Sequence, residues 1–172
     1  DSYHQITTKQ NADKKLTSEQ MTALKNIEIA QHQGKQKFLL YGVTGSGKTQ
    51  IYIEMALKAR ALGKQILILV PEIVLTGQLV TSFKEYFADD VAVIHSRLSI
   101  GERNDTFWRI RTKQVSIIIG ARSALFAPFE DLGLIVMDEE HDPSYKQDES
   151  PRYHSHDIIE KMAEIYHATL IM

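Results

Sequence analysis

The sequence predicts an α/β fold, a largely parallel β-sheet with helices on both faces. Three observations predict it. Runs such as "QILILV", "VSIIIG" and "LGLIVM" are apolar without alternation, as strands buried on both faces are. Segments with helical apolar spacing stand between them, the pattern of repeated strand–helix–strand units. A glycine loop, "GVTGSGKT", joins one strand to one helix, on the edge where open α/β sheets bind ligands.

The elements follow in order. Residues 1–15 are polar and aperiodic and read as a flexible linker or arm, with one domain over 16–172. "TSEQMTALKNIEIAQHQ" is a helix, with Thr17 and Gln20 spaced as a capping box. "KFLLYG" is a strand running into the glycine loop, and "KTQIYIEMALKARALGK" is a helix stopped by Gly63. "QILILV" is a buried strand closed by Pro71, after which "EIVLTGQLVTSFKEYF" returns as helix. "VAVI" is a strand, and Ser99 with Glu102 opens a capped helix reaching about Lys113. "VSIIIG" and "LGLIVMDEE" are two further buried strands, "DIIEKMAEIY" is helix, and "TLIM" begins a last strand. Right-handed crossovers would bring the glycine loop, the turn after Val70 and the acidic turn after Met137 to one edge of the sheet.

With 172 residues the chain is long enough to bury a core of its own, and its net charge of −2 gives no global attraction to nucleic acid. Any such binding must come from local patches. The absence of cysteine excludes disulfides and thiolate zinc sites, and fits a reducing cytosol. The first residues lack the apolar stretch of a signal peptide, and no apolar run approaches the ~18 residues of a membrane span. A soluble domain without membrane contact is expected.

Gly42, Val43, Thr44, Gly45, Ser46, Gly47, Lys48 and Thr49 match G-x-x-x-x-G-K-T between strand and helix. Glycines let backbone N–H groups approach phosphate oxygens, and the following helix directs its positive end at the same anion. Lys48 should reach the β- and γ-phosphates, and the Thr49 hydroxyl should ligate Mg²⁺. A phosphate loop needs a second, acidic site before it can hydrolyse anything. "LIVMDEEH" supplies one, because its apolar residues bury a strand from whose end Asp138, Glu139, Glu140 and His141 emerge. Asp138 is placed to hold Mg²⁺, directly or through water, and Glu139 to orient and deprotonate an attacking water. The two motifs together indicate an NTPase.

Other features are less specific. Arg97, Arg103, Arg109, Arg111 and Lys113 make the surroundings of the 99–113 helix basic, yet Glu102 can pair along it, so a solvated face competes with a nucleic-acid track. Trp108 reads as a core anchor of that helix. His141, His154 and His156 include an H-x-H spacing that suits a metal, but no thiolate accompanies it.

These motifs are arranged as in a known family. "LTSEQ", "GVTGSGKT", "VPEIVLTGQ", "HSRLSIGER", "IIIGARSALFAPF" and "VMDEEHDPSYKQDESPRYHSHD" resemble, in order, stretches of the first RecA-like motor lobe of superfamily 2 helicases. More narrowly they are similar to those of the PriA family of bacterial primosomal replication-restart helicases. The resemblance runs from about Leu16 to Met172. It implies a RecA-like P-loop NTPase lobe that takes ATP and Mg²⁺, with Gln20 reading the adenine edge and His141 coupling the ATP site to DNA. It also implies DNA contacts. Tyr145, Tyr153 and His154 would stack on bases, Lys146 and Arg152 would meet phosphates, and Arg122 and Ser123 would touch the backbone. The same loop carries Asp148, Glu149 and Asp157, so an ordinary surface loop with Tyr145 packed on the body stays open as a reading. Gln50, Gly77 and Ala121 stand where the family usually has glutamate, proline and threonine; none is a catalytic group.

The resemblance further implies single-stranded or forked DNA as partner, in a bacterial cytoplasmic setting, with replication-restart and single-strand-binding proteins. An upstream DNA-binding domain, a zinc-binding segment and a second lobe with an arginine finger would lie outside this chain, so no zinc is expected in it. Since an arginine finger contributes ~10³–10⁵ in rate, this lobe alone should bind nucleotide, hydrolyse it poorly and not unwind DNA. The alternative is a nucleotide-gated DNA- or protein-binding module without productive turnover. A small-molecule kinase shares the loop but has no use for an acidic turn followed by a loop of this kind.

Overall fold

The structure is a computed structural model, and it describes residues 15–42, 45–147 and 153–172. The expected arm over 1–15 therefore lies, but for Lys15, outside the described residues. Helix α1 spans Ser18–His32, strand β1 Lys37–Phe38, α2 Lys48–Ala61 and β2 Gln65–Leu69. A 3₁₀ turn over Glu72–Thr76 precedes α3 at Gln78–Phe87 and β3 at Val91–Ile94. Then come α4 at Ile100–Arg111, β4 at Ile117–Gly120 and β5 at Leu132–Met137. A short hairpin, β6 at Lys146–Gln147 and β7 at Tyr153–His154, leads into α5 at Ser155–Tyr166 and β8 at Thr169–Ile171.

Six strands form one sheet in the order β1-β8-β5-β2-β4-β3, with every pairing parallel. Strand β2 lies near its middle and is buried at every residue. Side chains alternate between two cores with the period of two that a pleated strand imposes. Ile66, Ile68 and Val70 join Leu134, Val136, Ile117 and Ile119 under α1, α2 and α3. Leu67 and Leu69 join Ile135, Met137 and Ile118 under α4 and α5. Two-sided burial is why these strands read as unbroken apolar runs.

Both capping boxes are present. Thr17 Oγ1 accepts from Gln20 N while Thr17 N donates to Gln20 Oε1, and Ser99 and Glu102 repeat the arrangement at α4. Buried Gln65 has every polar atom partnered. Its Nε2 donates to Ile110 O at 2.7 Å, and its Oε1 accepts from Glu130 N and Asp131 N, pinning the start of β2 to the end of α4 and the turn before β5.

Three local expectations are corrected. The segment after Pro71 is not one helix, because Gly77 is extended at φ −96, ψ −171 and separates the 3₁₀ turn from α3. Trp108 is no core anchor, being 61% exposed on a solvent stripe with Ile100 and Asn104, while the inner stripe of α4 carries Phe107 and Ile110. Glu102 spends its carboxylate on the Ser99 cap, and Arg109, Arg111 and Lys113 meet Asp89 O, Glu130 and Asp131 instead.

Candidate nucleotide site

Parallel strands all end at one edge, and the segments leaving β1, β2 and β5 there build the site. The glycine loop leaves β1. Gly45 and Gly47 lie at φ +82 and +84, where a side chain would be strained, so the sharp bend before α2 needs residues without Cβ. Gly47 is the N-cap of α2 and offers no side-chain cap, unlike the capped starts of α1 and α4. Gln50 N donates to Gly47 O at 3.1 Å, and no Gly47 side chain caps the N–H groups at this positive end of the helix. Lys48, the first residue of α2, donates from Nζ to Gly42 O at 2.7 Å, so its ammonium folds back over the loop. Val43 and Thr44 lie outside the described residues.

Gln20 reaches the loop from α1. Its Nε2 donates to Gly47 O at 3.0 Å while its Oε1 serves the α1 capping box. Both ends of the amide are engaged, so reading an adenine edge requires one of these bonds to be exchanged. The glutamine clasps the loop, a contact between residues 27 positions apart that motif spacing does not reveal.

The acidic turn leaves β5, the neighbour of β2. Asp138 N donates to Leu69 O at 2.9 Å, extending the ladder by one bond and fixing the backbone of Asp138 at the end of β5. Glu139 adopts φ +49, a left-handed conformation that costs a non-glycine residue about 1–2 kcal/mol. Asp142 N donating to Glu139 O at 2.8 Å closes the turn that imposes it. Gly45, Gly47, Lys48, Thr49, Asp138 and Glu139 line one cavity of about 540 Å³, together with Thr17 and Gln20. The loop and both carboxylates expected to share a ligand therefore face the same space. A second cavity of about 400 Å³, which shares Lys48 with the first, is lined by Gly42, Tyr52, Glu139, Glu140 and His141. His141 is 77% exposed, with Nε2 3.4 Å from Glu139 Oε2.

Two tyrosines brace Asp138, and neither was expected in that role. Tyr52 donates from its hydroxyl to Asp138 Oδ1 at 2.9 Å. Burial first, and then the Asp138 charge, push its pKa far above the usual value, so it remains a donor at neutral pH. Tyr145 donates to Asp138 O at 2.5 Å, with Leu69 O 3.2 Å away. The signal for Tyr52 was its place four residues after Lys48, on the same face of α2.

Several of the residues expected to meet DNA lie on or beside the hairpin, with changes. Tyr145 is 1% exposed and its hydroxyl is spent on the main chain, so it is a buried post and offers no face to a base. Arg122 turns inward as well, donating from one guanidinium nitrogen to Lys146 O at 2.6 Å and Ser144 O at 3.3 Å, with its guanidinium 5.8 Å from the Tyr153 ring centroid. Tyr153 is half-buried edge-on to Phe126, and Ser123 is half-buried in the turn that follows β4. Lys146 is exposed, and Arg152 lies outside the described residues. His154 and His156 approach through their Nδ1 atoms at 3.0 Å, and His156 Nε2 lies 2.9 Å from Glu140 Oε2. Among the described residues, no three His, Cys, Asp or Glu side chains converge as a metal site, so the three histidines do not form one.

Comparison with known proteins places the chain. The model of the family described as "Type III restriction enzyme, res subunit" matches residues 13–171. The chain belongs to this family. The replication restart protein PriA of Bacillus subtilis (strain 168) is 49% identical over 158 residues, covering 91% of this chain and 20% of that protein. PriA of Chlamydia trachomatis is 44% identical over 159 residues, with 91% and 21% covered, and PriA of Haemophilus influenzae is 44% identical over 162 residues, with 94% and 22% covered. The chain thus spans about a fifth of the length of these curated relatives. The resemblance carried by the motifs holds, and the sheet of this res-subunit family member is the RecA-like α/β architecture it implied.

The residues present fit a magnesium nucleotide. A Cβ on Gly47 would stand 2.4 Å from Gln20 Nε2, so a side chain there would displace the glutamine that clasps the loop. Thr49 and Asp138 offer hard oxygen donors, and Mg²⁺ is commonly held by one or two carboxylates together with substrate phosphates. An all-protein cage is not required. No helix of the described residues is long and apolar enough to cross a membrane.

Proposed function

We propose that this chain is the ATP-binding motor lobe of an ATP-dependent 3′-to-5′ DNA helicase acting in replication restart and primosome assembly, in the bacterial cytoplasm. The observation that carries the reading is the common cavity lined by Lys48, Thr49, Asp138 and Glu139. The main-chain N–H groups of the glycine loop bind the phosphates, and Lys48 moves from Gly42 O to the β- and γ-oxygens. Thr49 and Asp138 would hold Mg²⁺, which would supply positive charge to offset that developing on the transferred group. Glu139 orients the attacking water and takes its proton. Similarity to proteins named replication restart protein PriA supports the DNA and restart context. Single-stranded or forked DNA would meet Ser123, Lys146, Arg152, Tyr153 and His154, with Arg122 holding the hairpin that carries several of them. A second lobe and an upstream DNA-binding domain would complete the motor, so this lobe alone binds nucleotide without unwinding.

The test is DNA-stimulated ATPase of the longer protein containing this lobe, with and without forked DNA. Glu139→Gln should lower stimulated turnover by about 10²–10⁴-fold while nucleotide still binds. Turnover retained in that variant would favour a nucleotide-gated module.

A further inference from the structure

The polar tip of Tyr52 meets Asp138. Its ring is part of the core under α2, 2% exposed, and a phenylalanine would fill that space equally well. Only the hydroxyl needs Asp138, from which Tyr52 is separated by 86 residues. A carboxylate's terminal torsion is broad and two-fold, so a free Asp138 side chain would sample many orientations at the end of β5. The Tyr52 hydroxyl engages Oδ1 and selects one of them. The main chain of the same residue is held independently, by Asp138 N donating to Leu69 O and by Tyr145 donating to Asp138 O. Tyr52 is therefore the contact that sets the side chain of Asp138, where Tyr145 sets its backbone. Tyr52 also sits one helical turn after Lys48, and both line the second cavity beside the glycine loop, so one face of α2 carries a group for the phosphates and a group for the carboxylate.

We infer that Tyr52 is a positioning residue for the cation, orienting Asp138 so that its second oxygen meets the Mg²⁺ shell. This rests on the nucleotide reading of the site. Outer-shell partners of metal ligands commonly contribute 10–100-fold to metal affinity, and this hydroxyl stands in that relation to Asp138.

The test is binding of ADP to the chain by calorimetry, in Mg²⁺ and in EDTA, for the parent sequence and Tyr52→Phe, with thermal unfolding of both. The parent should bind ADP more tightly with Mg²⁺. Tyr52→Phe should raise the Mg²⁺ concentration for half-maximal enhancement about tenfold, leave affinity in EDTA unchanged, and unfold cooperatively. An unchanged Mg²⁺ requirement overturns the inference and leaves the nucleotide reading standing. Equal loss of affinity in Mg²⁺ and EDTA overturns it too, because the hydroxyl would then serve only the fold. A parent chain that binds no ADP overturns the nucleotide reading itself, and one that binds ADP equally with and without Mg²⁺ overturns the cation role of Asp138 and the inference with it.

Discussion

Gly47→Ala separates two costs that the glycine loop imposes on one residue. The first is conformational: at φ +84 an alanine costs about 1–2 kcal/mol relative to the right-handed regions. The second is a collision, since the new Cβ would stand 2.4 Å from Gln20 Nε2. That atom is the end of a flexible side chain and can move away, but moving breaks its 3.0 Å hydrogen bond to Gly47 O, worth about 1 kcal/mol. The total is about 2–3 kcal/mol. Gly45→Ala isolates the first cost, because φ there is +82 and nothing lies within 4 Å of the added carbon. Urea unfolding should therefore show Gly47→Ala less stable than Gly45→Ala by about 1 kcal/mol. In a Gln20→Ala background, where no clasp is left to break, the two should cost the same. Equal costs in the parent background, or a gap that persists without Gln20, would refute the reasoning.

Two further predictions concern stability. Gly120→Ala should destabilise by about 1–3 kcal/mol in urea unfolding, since its Cβ would meet Ala124 Cβ at 2.5 Å and Ile94 O at 2.9 Å; a neutral result would contradict this packing. Hydrogen bonds from Ser96 hold the Glu72 carboxyl below its usual 4.5, so its contribution is present above that pH and lost as pH falls through the lower folded value. Glu72→Gln should thus flatten the fall of Tm with acidification below about 4.5, and an unchanged slope would contradict the link.

What the sequence made legible was local. The capping pairs Thr17/Gln20 and Ser99/Glu102 lie three residues apart, and the apolar strands announce themselves by composition. The positions of the glycine loop and the Asp138–Glu139 turn at one edge were readable because each motif is continuous and closes a buried strand or opens a helix. What stayed hidden depends on which strands are neighbours. Tyr52 meets Asp138 because α2 packs against β5, and Gln20 meets Gly47 because α1 packs against α2. Tyr145 follows β5 closely, yet its burial depends on the hairpin folding back over Leu69 and Asp138. Trp108 misled because aromatic size suggests burial, whereas the stripe shared with Ile100 and Asn104 faces solvent.

The central claim is that the glycine loop and the acidic turn serve one nucleotide and one cation. Mn²⁺ in place of Mg²⁺ with ADP, followed by paramagnetic broadening of backbone amide NMR signals in the chain, tests it most directly. Signals of Gly45 to Thr49 and of Asp138 and Glu139 should broaden together, and only when ADP is present. Broadening confined to one of the two segments, or independent of ADP, would contradict the account.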